Sequence, residues 1–198
     1  MPTRTPIPPV DPPVSPVVPF AFPLDEFYLR AGITLPRIER IDGESFPEPY
    51  KSLLVHSQDM TPTLEKFHGD TIHLEVLRRE ARDDFYFREV VLKLDGGERP
   101  VEFGAIRIDL ALFAASVRRL ILEEHLPLGH ILKDCGVAHS SRPKAFLRVE
   151  SDEFMNGLLG LSGANILYGR RNTLLDPQQR SLAEIVEILP PSDAPGVR

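Results

Sequence analysis

The sequence has few of the residues that build metal centres or disulfide frameworks. Cys135 is the one cysteine among 198 residues, and tryptophan is missing. A lone cysteine excludes an intramolecular disulfide and is typical of proteins from a reducing compartment. The six histidines are scattered, without the His-x-x-x-His spacing of zinc sites, and there is no glycine-rich phosphate loop and no Gly-x-Ser-x-Gly motif. We therefore expect a function that needs neither a metal nor a nucleotide cofactor.

Long apolar runs and an excess of positive charge are also missing. No stretch approaches the roughly 18 to 20 apolar residues that a transmembrane helix needs. Lysine and arginine number 23 against 29 acids, which gives a net charge of −6. Such an acidic balance argues against general binding to nucleic acids or anionic membranes. We expect a cytoplasmic protein whose partner is a small molecule; the composition does not indicate an oligomeric state.

Proline is abundant and is concentrated at the start of the chain. Residues 1–23 contain Pro2, Pro6, Pro8, Pro9, Pro12, Pro13, Pro16, Pro19 and Pro23. Because proline fixes φ and lacks an N–H group, this arm is predicted to be extended and not helical. The predicted organisation is an arm over residues 1–23, one domain over residues 24–191 and a short tail over residues 192–198.

Hydrophobic periodicity and turn residues predict strands joined by hairpins, with helices grouped between them. Helices are predicted at 24–31, 49–57, 61–69, 113–124, 127–134 and 152–159. Strands are predicted at 71–79, 85–94, 100–108, 144–150, 165–175 and 182–189. For the third helix, Thr61 suits the N-cap, Pro62 the first helical position and Gly69 the end. This order predicts an α+β fold with an antiparallel sheet.

Two of the predicted strands carry charge inside an apolar run. Arg88 lies within Phe85–Leu94, and Glu184 and Glu187 lie within Leu182–Pro190. A charge at such a position is costly unless it is paired or meets a polar ligand. The two interpretations are an ion pair within the sheet and a pocket that binds an organic anion.

Six short motifs follow one another along the domain. They are Asp59-Met60-Thr61, Phe87-Arg88-Glu89-Val90-Val91-Leu92, Asp95-Gly96, Pro127-Leu128-Gly129, Gly169-Arg170-Arg171 and Glu187-Ile188-Leu189-Pro190-Pro191. Their order is that of the chorismate pyruvate-lyases, and the chain resembles that family over about residues 50–191. The resemblance implies an antiparallel sheet with helices on one side and helical flaps over an internal ligand pocket. It also implies a cofactor-independent lyase that cleaves chorismate to pyruvate and 4-hydroxybenzoate, an activity associated with ubiquinone biosynthesis.

Site residues follow from the resemblance motif by motif. Arg88 and Glu187 would bind the substrate and act in catalysis, with Arg88 on a ligand carboxylate and Glu187 on the hydroxyl group of the product. Met60 and Leu128 would contact the ligand through their backbones, within flaps at 60–67 and 128–132. The planar fork of Arg88 suits a carboxylate because it donates two parallel hydrogen bonds.

Several alternatives remain open at the level of sequence. Glu184 and Glu187 lie on opposite faces of a strand, so either could supply the carboxylate, and Glu187 is chosen on its distance from Pro191. Arg170 and Arg171 must also point to opposite faces, so only one can reach a ligand. A related lyase would release 3-hydroxybenzoate. Because a related fold serves as the effector-binding domain of bacterial transcription regulators, the alternative function is a non-catalytic domain that binds a small aromatic acid.

Overall fold

The protein is built around one antiparallel sheet. The structure, a computed structural model, describes residues 20–192. Its sheet has seven strands in the order β1-β5-β6-β7-β4-β3-β2, and each neighbouring pair is antiparallel. The strands are β1 (Ile38–Ile41), β2 (Ile72–Arg82), β3 (Phe85–Leu94), β4 (Pro100–Asp109), β5 (Ser140–Glu150), β6 (Ile166–Leu175) and β7 (Ser181–Leu189).

The helices are short and fall between the strands. They are α1 (Leu24–Ala31), α2 (Tyr50–Leu54), α3 (Met60–His68), α4 (Ala115–Glu123), α5 (Leu128–Asp134) and α6 (Glu153–Leu159). Within residues 20–192, none of them is long and apolar enough to cross a membrane. The predicted α+β class with an antiparallel sheet is confirmed.

Alternation along the strands divides the domain into two packed layers. On one face, Phe87 and Val91 of β3 pack with Tyr28 of α1 and Met155 of α6. On the other face, side chains of the sheet pack against α2 and α3 in one cluster and against α4 and α5 in another. The expected placement of helices on one side of the sheet therefore holds for α2 to α5, whereas α1 and α6 cover the opposite face. They do so because β3 and β4 are apolar on both faces, and an apolar face must be buried.

Helix ends differ in how well local signals define them. Helix α1 ends where predicted, at Gly32, which adopts φ 66° in the left-handed region that favours glycine. Helix α3 also ends as predicted, at Gly69, but it begins after Asp59 and not after Thr61. Pro62 is therefore the third helical residue, a position where the missing N–H costs no helical hydrogen bond.

Two segments near the start of the domain were not predicted as structured parts of it. Residues 20–23 belong to the predicted arm, yet Ala21 is fully buried and Phe22 packs edge-on against Phe87. Strand β1 pairs with β5, with Ile38 opposite Val149. The rest of the predicted arm, residues 1–19, and residues 193–198 of the predicted tail lie outside the described residues.

Candidate functional site

A cavity lies between the sheet and helices α3 and α5. The space between its atoms is about 580 Å³ including the opening to solvent, of which about 60 Å³ can take the centre of a water molecule. One buried water needs roughly 10 to 15 Å³ by the same measure, so the cavity has room for more than isolated waters. The site is therefore a pocket, open to solvent on one side, with room for a small organic molecule.

The register of the central strands explains which side chains form the cavity floor. Arg88 of β3 is opposite Ile106 of β4, and Leu92 of β3 is opposite Glu102 of β4. Between these pairs, β4 carries Gly104, which lies opposite Glu187 of β7. Because directly opposite residues share a face of a sheet, and so do residues two apart along a strand, all six belong to one face, and all six line the cavity.

Within the described residues, Arg88 is a buried cation without a hydrogen-bond or ion-pair partner. Its side chain is among the largest fully buried ones, and neither Nε nor Nη1 has a hydrogen-bond partner. Burial lowers the pKa of Arg88 to about 10, and no neighbouring carboxylate among residues 20–192 offsets that effect. A buried guanidinium in this state is costly, and an anion in the cavity would relieve the cost by charge-assisted hydrogen bonds.

Glu187 is buried as well, but it is already paired. Its Oε2 lies 2.5 Å from Nε of Arg170, and the exposed fractions of the Arg170 and Glu187 side chains are 0% and 5%. The other nitrogens of Arg170 donate to the backbone carbonyls of Leu54, His56 and Gln58. Helix α2 ends at Leu54, short of the predicted Ser57, because the chain beyond it turns these carbonyls toward Arg170.

Glu102 is a cavity residue that the sequence analysis missed. It is buried, and its Oε2 has no hydrogen-bond partner. Burial and the nearby charge of Glu187 raise the pKa of Glu102 well above its ordinary value, while Arg170 lowers it to a smaller degree. Its one sequence signal is that it is charged inside the apolar strand Pro100–Asp109, the same signal that singled out Arg88.

Asn172 of β6 contributes another open polar atom. Its Nδ2 donates to Oγ of Ser141 at 2.9 Å, whereas its buried Oδ1 has no partner. The cavity therefore holds unsatisfied donors on Arg88 and unsatisfied oxygens on Glu102 and Asn172. Buried polar atoms are nearly always hydrogen-bonded in proteins, so this grouping indicates a place where a polar ligand binds.

The cavity is covered by the two helices that were predicted as flaps. Met60, the first residue of α3, and Leu128, the first residue of α5, are both buried and both line it. A contact of 3.1 Å between Nε2 of His130 and Oε1 of Glu65 joins the two helices.

The start of α3 is also tied to the sheet. His139 is the residue just before β5. Its Nε2 lies 2.9 Å from Oδ2 of Asp59. The hydrogen bond to Asp59 raises the pKa of His139. Because the Asp59 carboxylate is engaged by His139, it makes no side-chain cap hydrogen bond to the helix that it precedes.

The structure brings together the four residues that the resemblance implies. Met60, Arg88, Leu128 and Glu187 all line the one cavity. Glu184 does not: it lies on the opposite face of β7, where it accepts from Nη2 of Arg171 at 2.6 Å. Of the two arginines, Arg170 is on the cavity side, but it contacts Glu187 and is not itself a lining residue. Among residues 20–192, no group of three or more His, Cys, Asp and Glu side chains is placed to hold a metal ion.

Comparison with known proteins shows a shared fold. PhnF from Mycobacterium smegmatis matches with a TM-score of 0.53 and 13% identity, over 83% of this chain and 76% of PhnF. The effector domain of PhnF, solved separately, matches with a TM-score of 0.52 and 12% identity, over 68% of this chain and 90% of that domain. A gene product of Staphylococcus aureus matches with a TM-score of 0.50 and 10% identity, over 64% of this chain and 86% of that one. No protein-family model and no curated protein sequence matches the chain.

The similarity to these structures shows the fold of the chain but not its function. The chain has the chorismate lyase-like fold that the resemblance implies, and that fold is shared with an effector domain. One fold serves many functions, so the chemistry must be argued from the side chains in the cavity.

Proposed function

We propose that this chain is a small-molecule binding domain that encloses a small aromatic carboxylate between the sheet and the flaps α3 and α5. The observation that carries the proposal is the unpartnered, buried guanidinium of Arg88 in the cavity wall. The carboxylate of an aromatic acid would accept charge-assisted hydrogen bonds from this guanidinium. Its ring would lie against the apolar lining of the cavity, which includes Leu74, Val90 and Leu174.

The charges around the cavity favour a ligand with one negative charge. Among the described lining residues, Arg88 is the one lysine or arginine, and the acids are Asp59, Glu102 and Glu187. Asp59 is engaged by His139 and Glu187 by Arg170. The raised pKa of Glu102 favours its neutral form, so the guanidinium of Arg88 is the charge of the described lining that has no partner of opposite sign. A monoanion neutralises that charge, whereas a second carboxylate would meet acids and no free cation.

A second candidate function is the lyase that the sequence resemblance implies. It is favoured by the convergence of Met60, Arg88, Leu128 and Glu187 on one cavity. In this candidate the protein cleaves chorismate in the cytoplasm to pyruvate and 4-hydroxybenzoate, or 3-hydroxybenzoate in the variant reaction, with no cofactor. The fold would act by holding the reactive conformer and excluding water. The charge balance favours binding of the product over binding of the dianionic substrate, and we therefore rank the lyase second.

Two measurements on the pure protein test the proposal. Titration calorimetry with benzoate and 4-hydroxybenzoate should show binding by the wild type. Arg88→Met should lose most of the affinity, and Arg171→Met, an arginine on the opposite face of the sheet, should keep it. Incubation with chorismate should release no pyruvate if the domain only binds. Pyruvate release, with the aromatic acid identified by chromatography, would promote the second candidate. Absence of binding to either acid would overturn the proposal.

A further inference from the structure

Glu102 and Arg88 stand at opposite ends of the cavity floor. The Arg88–Ile106 and Leu92–Glu102 pairs are separated by four residues along β3 and β4, or about 13 Å at the rise of an extended strand. Gly104 lies between them and has no side chain, so the floor between the two polar ends is open. The Oε1 of Glu102 lies 3.6 Å from the point where a Cβ of residue 104 would stand. The Glu102 side chain thus extends over the glycine, toward the middle of the cavity.

Among the carboxyl groups of the floor within residues 20–192, Glu102 is the one that has no ion-pair partner. An oxygen of Glu187 is taken by Arg170, whereas the Oε2 of Glu102 has no partner. The Oδ1 of Asn172 is open too, but Asn172 lies opposite Ile185 of β7, which lies opposite Ile106 of β4, so it belongs to the Arg88 end of the floor. A ligand group at the Glu102 end would therefore meet one buried oxygen, the Oε2 of Glu102, that has no hydrogen bond among residues 20–192.

Such surroundings select for one kind of group. A second anionic group would be repelled by Glu187 and would lack a cation, because Arg170 is already paired. An apolar group would leave the Oε2 of Glu102 buried and unsatisfied. A neutral hydroxyl group fits, since it can donate a hydrogen bond to this oxygen when Glu102 is ionised and accept one from the carboxyl group when Glu102 is protonated.

We infer that Glu102 is a specificity-determining residue that binds a hydroxyl group of the ligand, and that the ligand class is therefore small hydroxy-substituted carboxylates with a single negative charge. The inference rests on the proposed function, because Arg88 must hold the carboxylate at the other end. It transfers to Glu102 the contact with the hydroxyl group that the sequence resemblance implies for Glu187.

The test compares three probes: benzoate, 4-hydroxybenzoate and terephthalate, which carries a second carboxylate in place of the hydroxyl group. By titration calorimetry, the wild type should bind 4-hydroxybenzoate about tenfold more tightly than benzoate, the effect of one good buried hydrogen bond. Terephthalate should bind more weakly than benzoate. If the wild type binds terephthalate as tightly as 4-hydroxybenzoate, the inference is wrong. This comparison uses the wild type alone and does not require any variant to fold.

Variants then assign the preference to the residue. Glu102→Met removes both oxygens at similar length, and it should bring the two affinities within about twofold of each other. Glu102→Gln keeps a donor and an acceptor, so it should retain a preference for the hydroxy acid. Glu184→Met, on the other face of the sheet, should behave as the wild type.

The possible failures are distinguishable. If Arg88→Met abolishes benzoate binding but Glu102→Met keeps the full preference for 4-hydroxybenzoate, the inference is wrong and the proposed function stands. If the wild type binds neither benzoate nor 4-hydroxybenzoate, the proposed function fails and the inference fails with it.

Discussion

Arg170 and Glu187 face each other across β6 and β7 and form a buried ion pair in which Nε and Oε2 are 2.5 Å apart. Both side chains lie on the cavity side of the sheet, and the pair neutralises two charges that would otherwise act on a ligand. Arg88 is left as the unpaired cation of the cavity and Glu102 as the carboxyl group with an open oxygen. The groups available to a ligand are therefore the guanidinium of Arg88 and the carboxyl group of Glu102.

Removing one member of the pair should destabilise the fold strongly. Arg170→Met would leave Glu187 buried without a cation beside Glu102, and the free energy of unfolding should fall by about 3 to 5 kcal/mol. Arg171→Met is the matched control, because Glu184 has a second arginine partner, Arg107, at 3.5 Å. We expect a loss of about 1 kcal/mol or less for the control. Denaturant unfolding of both variants measures the difference, and equal losses would contradict the account.

Glu89 should make stability depend on pH. It lies on the face opposite Arg88, is fully buried, and burial raises its pKa from 4.5 to about 7, with Arg78 lowering it in part. The folded state therefore holds more protons than the unfolded state between these two values, and the free energy of unfolding falls as the pH rises through this window.

The variant Glu89→Gln removes that dependence. Relative to the variant, the wild type should lose about 3 kcal/mol of stability between about pH 4 and pH 8. Comparing the two proteins at each pH cancels the groups that they share. Parallel stability curves would show that Glu89 keeps an ordinary pKa.

Gly104 should tolerate no side chain. A Cβ at this position would lie 2.4 Å from the backbone oxygen of Val186, an approach that requires a neighbouring strand to shift. Gly104→Ala should therefore reduce stability by about 1 to 3 kcal/mol. Gly157 of α6 is the matched control because a Cβ there meets nothing within 4 Å. Gly157→Ala should stabilise the helix by about 0.5 to 1 kcal/mol. Thermal melting of the two variants should thus give shifts of opposite sign.

The contact between His139 and Asp59 should hold the start of flap α3 in place. His139→Leu should increase amide hydrogen exchange in α3 and leave exchange in β3 and β4 unchanged. Because the hydrogen bond raises the pKa of His139, the protection of α3 in the wild type should be full below the ordinary pKa and decrease as the pH rises through the raised value. His73→Leu, near the start of β2, where His73 contacts Asp95 of the β3–β4 turn, is the control. Unchanged exchange in α3 would show that the contact does not restrain the flap.

Most of the secondary structure could be predicted because local signals define it. Strand β3 and helix α1 have the predicted bounds, since their apolar patterns end at strong turn residues, Asp95-Gly96 and Gly32. Strand β1 has only four residues and is defined by its pairing with β5. A segment this short has no local hydrophobic pattern from which it could be predicted. The start of α3 was misplaced because Thr61 and Pro62 are typical of a helix start, whereas the chain turns at Asp59 where tertiary contacts with β5 hold it.

Some features of the candidate site could likewise be predicted from local sequence, whereas others depend on how the strands pair. Period-two alternation separates Glu184 from Glu187 and Arg170 from Arg171, and the structure shows each pair on opposite faces. Which face carries the cavity depends on strand order, and the partnership of Arg170 with Glu187 depends on the register of β6 and β7. Glu102 was missed for that reason: its place on the same cavity floor as Arg88 follows from the β3–β4 register.

Arg88 is the centre of the account, and its affinity for a simple carboxylate tests it most directly. Titration calorimetry should compare benzoate binding by the wild type, Arg88→Lys and Arg88→Met. Lysine keeps the charge but not the bidentate fork, so Arg88→Lys should bind more weakly than the wild type, and Arg88→Met should lose a few kcal/mol of binding free energy. All three proteins should remain folded, because Arg88 has no carboxylate partner in the sheet to lose. Equal benzoate affinity in the wild type and Arg88→Met would contradict the account.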